Sequence, residues 1–171
     1  MNYASIKACD VANGTGVRVS LFVSGCNHHC EGCFNHEAWD FNYGERFGED
    51  QMAKIIDALA PDYISGLSLL GGEPLDPKNQ AEVLKVVKKV KELYPNKTIW
   101  CYSGFTFEEL LEMKKECVIL EELLGNIDVL VEGRFVLALK QLGLKFRGSS
   151  NQRILDVSKS LIAKQPIIFM E

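Results

Sequence analysis

The chain alternates between short apolar runs and longer amphipathic segments. Apolar, β-branched runs of four to eight residues are typical of buried strands, and apolar positions three or four residues apart are typical of helices. This pattern predicts strands at 17–24, 66–70, 98–102 and 128–131, with further candidate strands at 153–157 and 166–170. It predicts helices at 49–59, at 79–94 and from a capping box at Thr106 and Glu109 to about 124, with a break near 117–118.

Strands that alternate with helices predict an α/β fold with a mainly parallel sheet. The chain has 171 residues, whereas a complete eightfold β/α barrel needs about 250. We therefore expect an incomplete barrel, or open curved sheet, in a single domain that spans 1–171. In such sheets, ligands bind at the carboxyl ends of the strands.

Composition and charge limit the classes of molecule that we expect this protein to bind. The formal net charge is −4, and the basic residues are dispersed, so neither a nucleic acid nor a membrane partner is expected. The sequence shows no signal-peptide pattern and no run of about 18 apolar residues. We expect a protein of the reducing cytoplasm.

Three of the six cysteines lie close together, directly after the strand predicted at 17–24. Cys26, Cys30 and Cys33 have the spacing C-x3-C-x2-C, and clustered thiols in a chain without a signal peptide more often bind metal than form disulfides. Three thiolates would ligate three irons of a [4Fe-4S] cluster and leave the fourth iron open. The loop favours this cluster. A tetrahedral zinc site completed by a nearby histidine, or buried unligated thiols, remain as alternatives.

A second motif, Gly71-Gly72-Glu73-Pro74, follows the strand predicted at 66–70. Together with the cysteine motif it resembles the radical S-adenosylmethionine (SAM) superfamily. The resemblance is closer to the activating enzymes of anaerobic (class III) ribonucleoside-triphosphate reductases. It is carried by the segments 13–26, 33–39, 70–75, 128–135 and 147–153. It implies an incomplete radical SAM β/α barrel.

The resemblance also implies roles for individual residues. The three cysteines would ligate the cluster, and Gly71, Gly72 and Glu73 would meet the methionine amino group of SAM. Ser103, after the strand at 98–102, would lie near the ribose or the carboxylate of SAM. Taken alone, the glycine pair reads as an ordinary turn, and Ser103 as a turn or cap residue.

Two further pairs of residues are compared with the superfamily pattern because of their positions in the chain. Glu132 and Arg134 correspond to an acidic-x-basic pair that contacts the SAM carboxylate in related glycyl-radical activases; a surface ion pair is the alternative. Many members place an aromatic residue before the third cysteine, where this chain has Gly32. The backbone of Phe34 and Asn35 is therefore the candidate contact for adenine.

The activity that the resemblance implies is reductive cleavage of SAM to methionine and a 5′-deoxyadenosyl radical. That radical would take hydrogen from a glycine Cα of the large reductase subunit, with a flavodoxin- or ferredoxin-like protein as electron donor. The segment 147–153 would either dock the reductase or form a structural turn. Alternatives within the class are an activase of another glycyl-radical enzyme and a small-molecule radical SAM enzyme. An alternative from another class is a small zinc or iron–sulfur protein for binding or electron transfer.

Overall fold

A computed structural model describes residues 1–171. Its strands are β1 (Asn2–Asp10), β2 (Val17–Val23), β3 (Glu45–Arg46), β4 (Ile64–Gly71), β5 (Thr98–Ser103), β6 (Val129–Glu132), β7 (Arg153–Asp156) and β8 (Ile168–Met170). Its α-helices are α1 (Glu49–Leu59), α2 (Pro77–Leu93), α3 (Phe107–Met113), α4 (Val118–Asn126) and α5 (Val157–Ala163). Two 3₁₀ helices cover His36–Trp39 and Leu137–Leu139. None of these helices is both long and apolar enough to cross a membrane.

All eight strands form one mixed sheet in the order β3-β1-β2-β4-β5-β6-β7-β8. The four central strands, β2, β4, β5 and β6, are parallel. The strands on both sides of them pair antiparallel. The α/β class is thus confirmed, and the mainly parallel sheet is correct only for its centre. Parallel neighbours need a helical crossover, but a short loop joins β1 to β2, and 133–152 joins β6 to β7 without an α-helix.

The predicted elements agree with the structure where their signals are strong. The helix α1 has the predicted bounds, and α3 begins with the predicted capping box, in which Thr106 and Glu109 satisfy each other's backbone N–H groups. The predicted break separates α3 from α4. The strand β1 was not predicted, because it is only partly buried and its polar residues interrupt the apolar alternation.

The two faces of the sheet are covered differently. One face packs against the helices in a core of 26 buried apolar residues, to which the strands contribute alternate positions such as Leu67, Leu69 and Ile99. The other face carries a smaller cluster around Trp100, against which Tyr102 packs. Successive strand residues point to opposite faces of the sheet. Of two neighbouring residues on a strand, one therefore packs against the helices and the other lies on the opposite face.

Arg18 closes the far end of this second face. Its side chain is fully buried and donates to the Ser68 hydroxyl at 2.8 Å and to the carbonyl oxygens of Leu67 at 2.9 Å and Thr98 at 2.7 Å. Burial lowers the pKa of Arg18 to about 10. The guanidinium therefore fastens β2 to β4 and β5, and it has no spare donor directed at a ligand.

Candidate functional site

A cavity of about 450 Å³ lies at the carboxyl ends of the central strands. Its walls come from the cysteine loop, the turn after β4, the end of β5 and the long connection between β6 and β7. The candidate site residues that line it are Cys26, Cys30, Cys33, Phe34, Gly71, Gly72, Glu73 and Ser103. Asn35, Glu132 and Arg134 do not line it. The structure therefore brings the two motifs together in one place.

The cysteine loop is held by backbone hydrogen bonds. The N–H of Gly25 donates to Ala38 at 2.8 Å, and the N–H of Cys26 donates to Trp39 at 3.1 Å. Within the loop, the N–H of Cys33 donates to Cys30 at 3.1 Å. The 3₁₀ helix that follows the loop thus anchors its start, so the positions of the thiols are set by the fold.

Backbone N–H groups face two of the thiols. Burial raises the pKa of the Cys26 thiol to about 11, and the N–H groups of His28 and His29 oppose that rise. Burial also raises the pKa of Cys30, opposed chiefly by the N–H of Phe135. Hydrogen bonds to sulfur stabilise thiolate ligands of iron–sulfur clusters. These N–H groups therefore favour the thiolate form of Cys26 and Cys30.

The arrangement of the three thiols fits an iron–sulfur cluster. Cys26, Cys30 and Cys33 line the wall of one cavity. Thiolates are the ligands that iron–sulfur clusters use in proteins. In a cubane cluster each cysteine binds a different iron, so its ligands stand apart.

The Gly71-Gly72 turn packs directly on the cysteine loop. The N–H of Gly72 donates to Val23 at 2.7 Å, and the N–H of Glu73 donates to Gly25 at 2.7 Å. A Cβ on Gly72 would lie 2.5 Å from the carbonyl oxygen of Gly25. Glycine is required here because a larger residue would push the two loops apart.

The Glu73 carboxylate links the loops of the site. One oxygen accepts from the N–H of Leu75 at 2.9 Å and the hydroxyl of Ser103 at 3.0 Å. The other lies 2.9 Å from His28 Nε2 and accepts from the N–H of Gly104 at 2.7 Å. Glu73 is 1% exposed, and each oxygen has two partners. A contact of this side chain with SAM stays a prediction, and it would need one of those partners to move.

Of the two candidate adenine contacts, Phe34 lines the cavity and Asn35 does not. The Phe34 side chain is 89% exposed. Asn35 precedes the 3₁₀ helix at 36–39, and its side chain makes no capping hydrogen bond. Their contact with adenine stays a prediction.

Glu132 and Arg134 are paired with other side chains. Glu132 is 1% exposed and bonds Arg153, which also holds Glu108 at 2.7 Å. Burial raises the pKa of Glu132, and Arg153 opposes that rise. Arg134 pairs with Glu109 at 3.1 Å on the outside of α3. The contact predicted between this pair and the SAM carboxylate therefore stays a prediction, and it requires these ion pairs to open.

The segment 147–153 folds back on the chain that follows β6. Arg147 Nη1 donates to the Gln152 carbonyl at 3.0 Å, and Gln152 Nε2 donates to the Gly133 carbonyl at 2.9 Å. Gln152 Oε1 accepts from the N–H of Gly148 at 2.8 Å. These bonds agree with the structural-turn interpretation of the segment. They leave docking of a partner as a prediction.

Sequence reasoning missed three residues in or beside the cavity. His28 was not predicted as a site residue, but its side chain is only 7% exposed and contacts Glu73. Tyr102 and Arg147 line the cavity and were not considered as ligand contacts. Two sequence features could have indicated these residues. His28 lies between two cysteines, and Tyr102 lies beside Ser103 at the end of a predicted strand. Nothing in the sequence shows that Arg147 faces the site.

Comparisons with known proteins agree with these features. A family model described as "4Fe-4S single cluster domain" matches residues 12–155. A Vibrio cholerae protein is 43% identical over 156 residues, which cover 90% of this chain and 97% of that protein. A protein of Enterobacteria phage T4 is 40% identical over 154 residues, covering 90% and 93%. One of Escherichia coli K12 is 42% identical over 154 residues, covering 89% and 96%.

All three relatives carry the name "Anaerobic ribonucleoside-triphosphate reductase-activating protein". The matched region includes both the cysteine loop and the turn after β4. The resemblance inferred from the motifs is confirmed, and this chain belongs to the family of anaerobic ribonucleoside-triphosphate reductase-activating proteins.

Proposed function

We propose that this protein is a radical SAM activase that generates a glycyl radical on an anaerobic ribonucleoside-triphosphate reductase. The observation that carries the proposal is that Cys26, Cys30 and Cys33 line the same cavity as the Gly71–Glu73 turn. The names of the relatives support the reductase as the partner. When bound, a reduced [4Fe-4S] cluster and SAM together supply the one-electron cleavage chemistry from which hydrogen abstraction proceeds.

The residues of the cysteine loop would hold the cluster. Cys26, Cys30 and Cys33 each provide a sulfur ligand, and the N–H groups of His28 and Phe135 stabilise the charge on two of these sulfurs. Three protein ligands would leave one iron of the cluster without a protein ligand, open to the amine and carboxylate of SAM. The loop thereby sets where SAM binds.

The turn after β4 would orient the methionine part of SAM. The glycines at 71 and 72 let a ligand approach the backbone closely. Glu73 fixes this turn to Ser103 and His28 through a buried carboxylate. In this proposal, Ser103 lies beside the ribose or carboxylate and Phe34 beside the adenine. Apolar walls, including those from Leu70, keep water away from the reacting groups.

The architecture fits this role. We infer that the mixed sheet is the incomplete β/α barrel of radical SAM enzymes, because its parallel centre carries both motifs at the strand ends. We also infer that 1–171 form a single domain, since one core of 26 buried residues runs through all five helices. A cytoplasmic location is part of the proposal, because cluster ligands must remain reduced thiols. A flavodoxin- or ferredoxin-like protein would supply the electron.

Cleavage of SAM by the reconstituted protein tests the proposal. After anaerobic loading with iron and sulfide and reduction with dithionite, we expect 5′-deoxyadenosine and methionine in equal amounts. A variant with Cys26, Cys30 and Cys33 replaced by alanine should form neither product. Cys9→Ala is the matched control, because Cys9 is exposed and lies outside the cavity. Absence of cleavage by the unaltered protein would leave a binding or electron-transfer role as the better explanation.

The identity of the partner needs a separate measurement. We expect an organic radical signal in electron paramagnetic resonance when the protein, SAM and a reductant are mixed with the large reductase subunit. Deuteration of glycine in that subunit should change the hyperfine pattern of the signal. SAM cleavage without this signal would favour another glycyl-radical enzyme, or a small molecule, as the substrate.

A further inference from the structure

We infer that Arg147, assisted by Tyr102, binds the carboxylate group of SAM. This inference rests on the proposed function and names the residues that recognise one part of its substrate. Both residues line the cavity. Each carries a buried polar atom with no hydrogen-bond partner in the protein: Nε of Arg147 and the hydroxyl of Tyr102. An unpaired buried polar group costs free energy, which a ligand would recover.

Most polar side chains that line the cavity are already engaged. Glu73 is bonded by both His28 and Ser103, as described above. Gln152 uses both its amide oxygen and its amide nitrogen on backbone groups. These groups shape the cavity and have little capacity left for a ligand.

The other arginines are excluded by their positions. The chain has five arginines. Arg18 has no spare donor, Arg46 lies on the edge strand β3, and Arg134 and Arg153 are paired with acidic residues outside the cavity. Arg147 makes no ion pair within 4.0 Å, and its one hydrogen bond goes to a neutral carbonyl. It is therefore the arginine whose charge faces the cavity uncompensated.

Tyr102 approaches the same space from the sheet. It lies on the face of β5 that carries Trp100, and the ring of Phe146 packs edge-on against Trp100 with 5.3 Å between centroids. This contact brings Arg147, the neighbour of Phe146, to the wall on which Tyr102 lies. Burial raises the pKa of Tyr102, so its hydroxyl stays protonated at neutral pH and can donate a hydrogen bond.

A carboxylate is the group that these two donors suit. A half-buried guanidinium without an acidic neighbour attracts an anion, and SAM carries one anionic group, its methionine carboxylate. The position agrees, because Arg147 lines the same cavity as the three cysteines, and its neighbour Gly148 packs against the ring of Phe135, which also lines that cavity. Lys140 also lines the cavity but is exposed and keeps its hydration.

Equilibrium binding of radiolabelled SAM to the reconstituted protein tests this inference. We expect Arg147→Met to weaken SAM binding by at least about tenfold, the loss typical of one hydrogen bond to a charged group. Arg147→Lys keeps the charge without the fork of donors, so its loss should be smaller. Lys145→Met is the control, because it removes a positive charge two residues away at an exposed position outside the cavity.

A SAM analogue without the carboxylate separates this contact from all others. The unaltered protein and Arg147→Met should bind this analogue equally. Tyr102→Phe should weaken SAM binding by about two- to tenfold without lowering the thermal stability of the free protein, because its hydroxyl has no partner to lose. This result distinguishes ligand binding from a structural role.

Two outcomes would overturn the inference while the proposed function stands. In one, Arg147→Met binds SAM as tightly as the unaltered protein does. In the other, it loses SAM and the analogue to the same extent, which would place Arg147 on the adenosine part or in a structural role. Failure of the unaltered reconstituted protein to bind SAM would instead overturn the proposed function, and this inference with it.

Discussion

Leu69 and Leu70 are neighbours on β4, yet they belong to different parts of the molecule. Leu69 is fully buried in the core beneath the helices. Leu70 points to the opposite face, where it lines the cavity. The same contrast holds along the whole sheet. The helix-covered face is apolar, while the other face carries buried polar side chains such as Arg18, Ser20 and Ser68.

This difference shows that one face of the sheet mainly stabilises the fold, while the other face carries the candidate site. Burial of apolar area on the helix-covered face is the main source of folding free energy. The cavity face holds buried polar groups, each of which needs a partner or a ligand. Substitutions on the first face should therefore unfold the protein, whereas substitutions on the second should change ligand binding and cleavage more than stability.

The largest expected effect comes from truncation of the two leucines. Leu69→Ala should lower the free energy of unfolding by about 2–5 kcal/mol, because it opens a cavity in a close-packed core. Leu70→Ala should cost at most about 2 kcal/mol, because it enlarges a space that already exists. Chemical denaturation of both variants measures the difference. Equal losses would mean that the two faces do not differ as described.

A smaller effect is expected where a charge pair supports the site from outside. Arg153→Met leaves the buried Glu132 carboxylate without its partner and should cost about 1–3 kcal/mol at pH 7. Burial raises the pKa of Glu132 above that of the unfolded chain. Loss of Arg153 should raise this pKa further. The penalty should therefore be full at neutral pH and shrink as the pH falls and the Glu132 carboxyl becomes protonated in the folded variant.

Urea denaturation of Arg153→Met and of the unaltered protein at pH 7 and pH 5 checks this expectation. The difference in stability between the two proteins should be smaller at pH 5. A difference that is constant with pH would show that the Glu132 charge does not cause the loss.

The link between the cysteine loop and the turn after β4 is expected to affect cleavage. His28→Asn removes the contact with the Glu73 carboxylate and should lower the rate of SAM cleavage about tenfold, the scale of one hydrogen bond to a charged group. The iron content per chain should stay unchanged. His36→Asn is the matched control, because His36 is exposed and does not line the cavity. A parallel loss of iron would instead assign His28 to cluster assembly.

The smallest effect is expected at Arg134. Its pair with Glu109 is largely exposed, so Glu109→Gln should change stability by at most about 0.5 kcal/mol. The glutamine keeps the capping bond to Thr106. If Arg134 stays on the outside of α3, SAM affinity will be unchanged. A tighter affinity in Glu109→Gln would support the contact between Arg134 and SAM that the sequence predicts.

The helix-covered face was the part of the fold that the sequence predicted well. Its signals are local, because periodicity reveals α1 and α2, and the Thr106–Glu109 capping box marks the start of α3. The edges of the sheet could not be predicted in the same way. The direction of the edge strands depends on the route that the long connections take back to the sheet. No local sequence pattern indicates that route.

Part of the candidate site could likewise be predicted from local sequence signals, and part could not. Cys26, Cys30 and Cys33, like the turn after β4, follow strong strands, so the strand-end rule was enough to bring them together. The side-chain pairing of Glu132 and Arg134 could not be read from sequence, because their partners lie on α3 and β7. Arg147 reaches the cavity through the packing of Phe146 on Trp100, which is a tertiary contact.

In the proposed function, the cluster held by Cys26, Cys30 and Cys33 and the turn after β4 bind the same SAM molecule. Electron–nuclear double resonance of the reduced, reconstituted protein tests this most directly, with SAM labelled with ¹⁵N at its amino group and ¹⁷O at its carboxylate. We predict hyperfine coupling of both labels to the cluster, and its loss when Cys26, Cys30 and Cys33 are replaced by alanine. A cluster signal that shows no coupling to either label would contradict the claim.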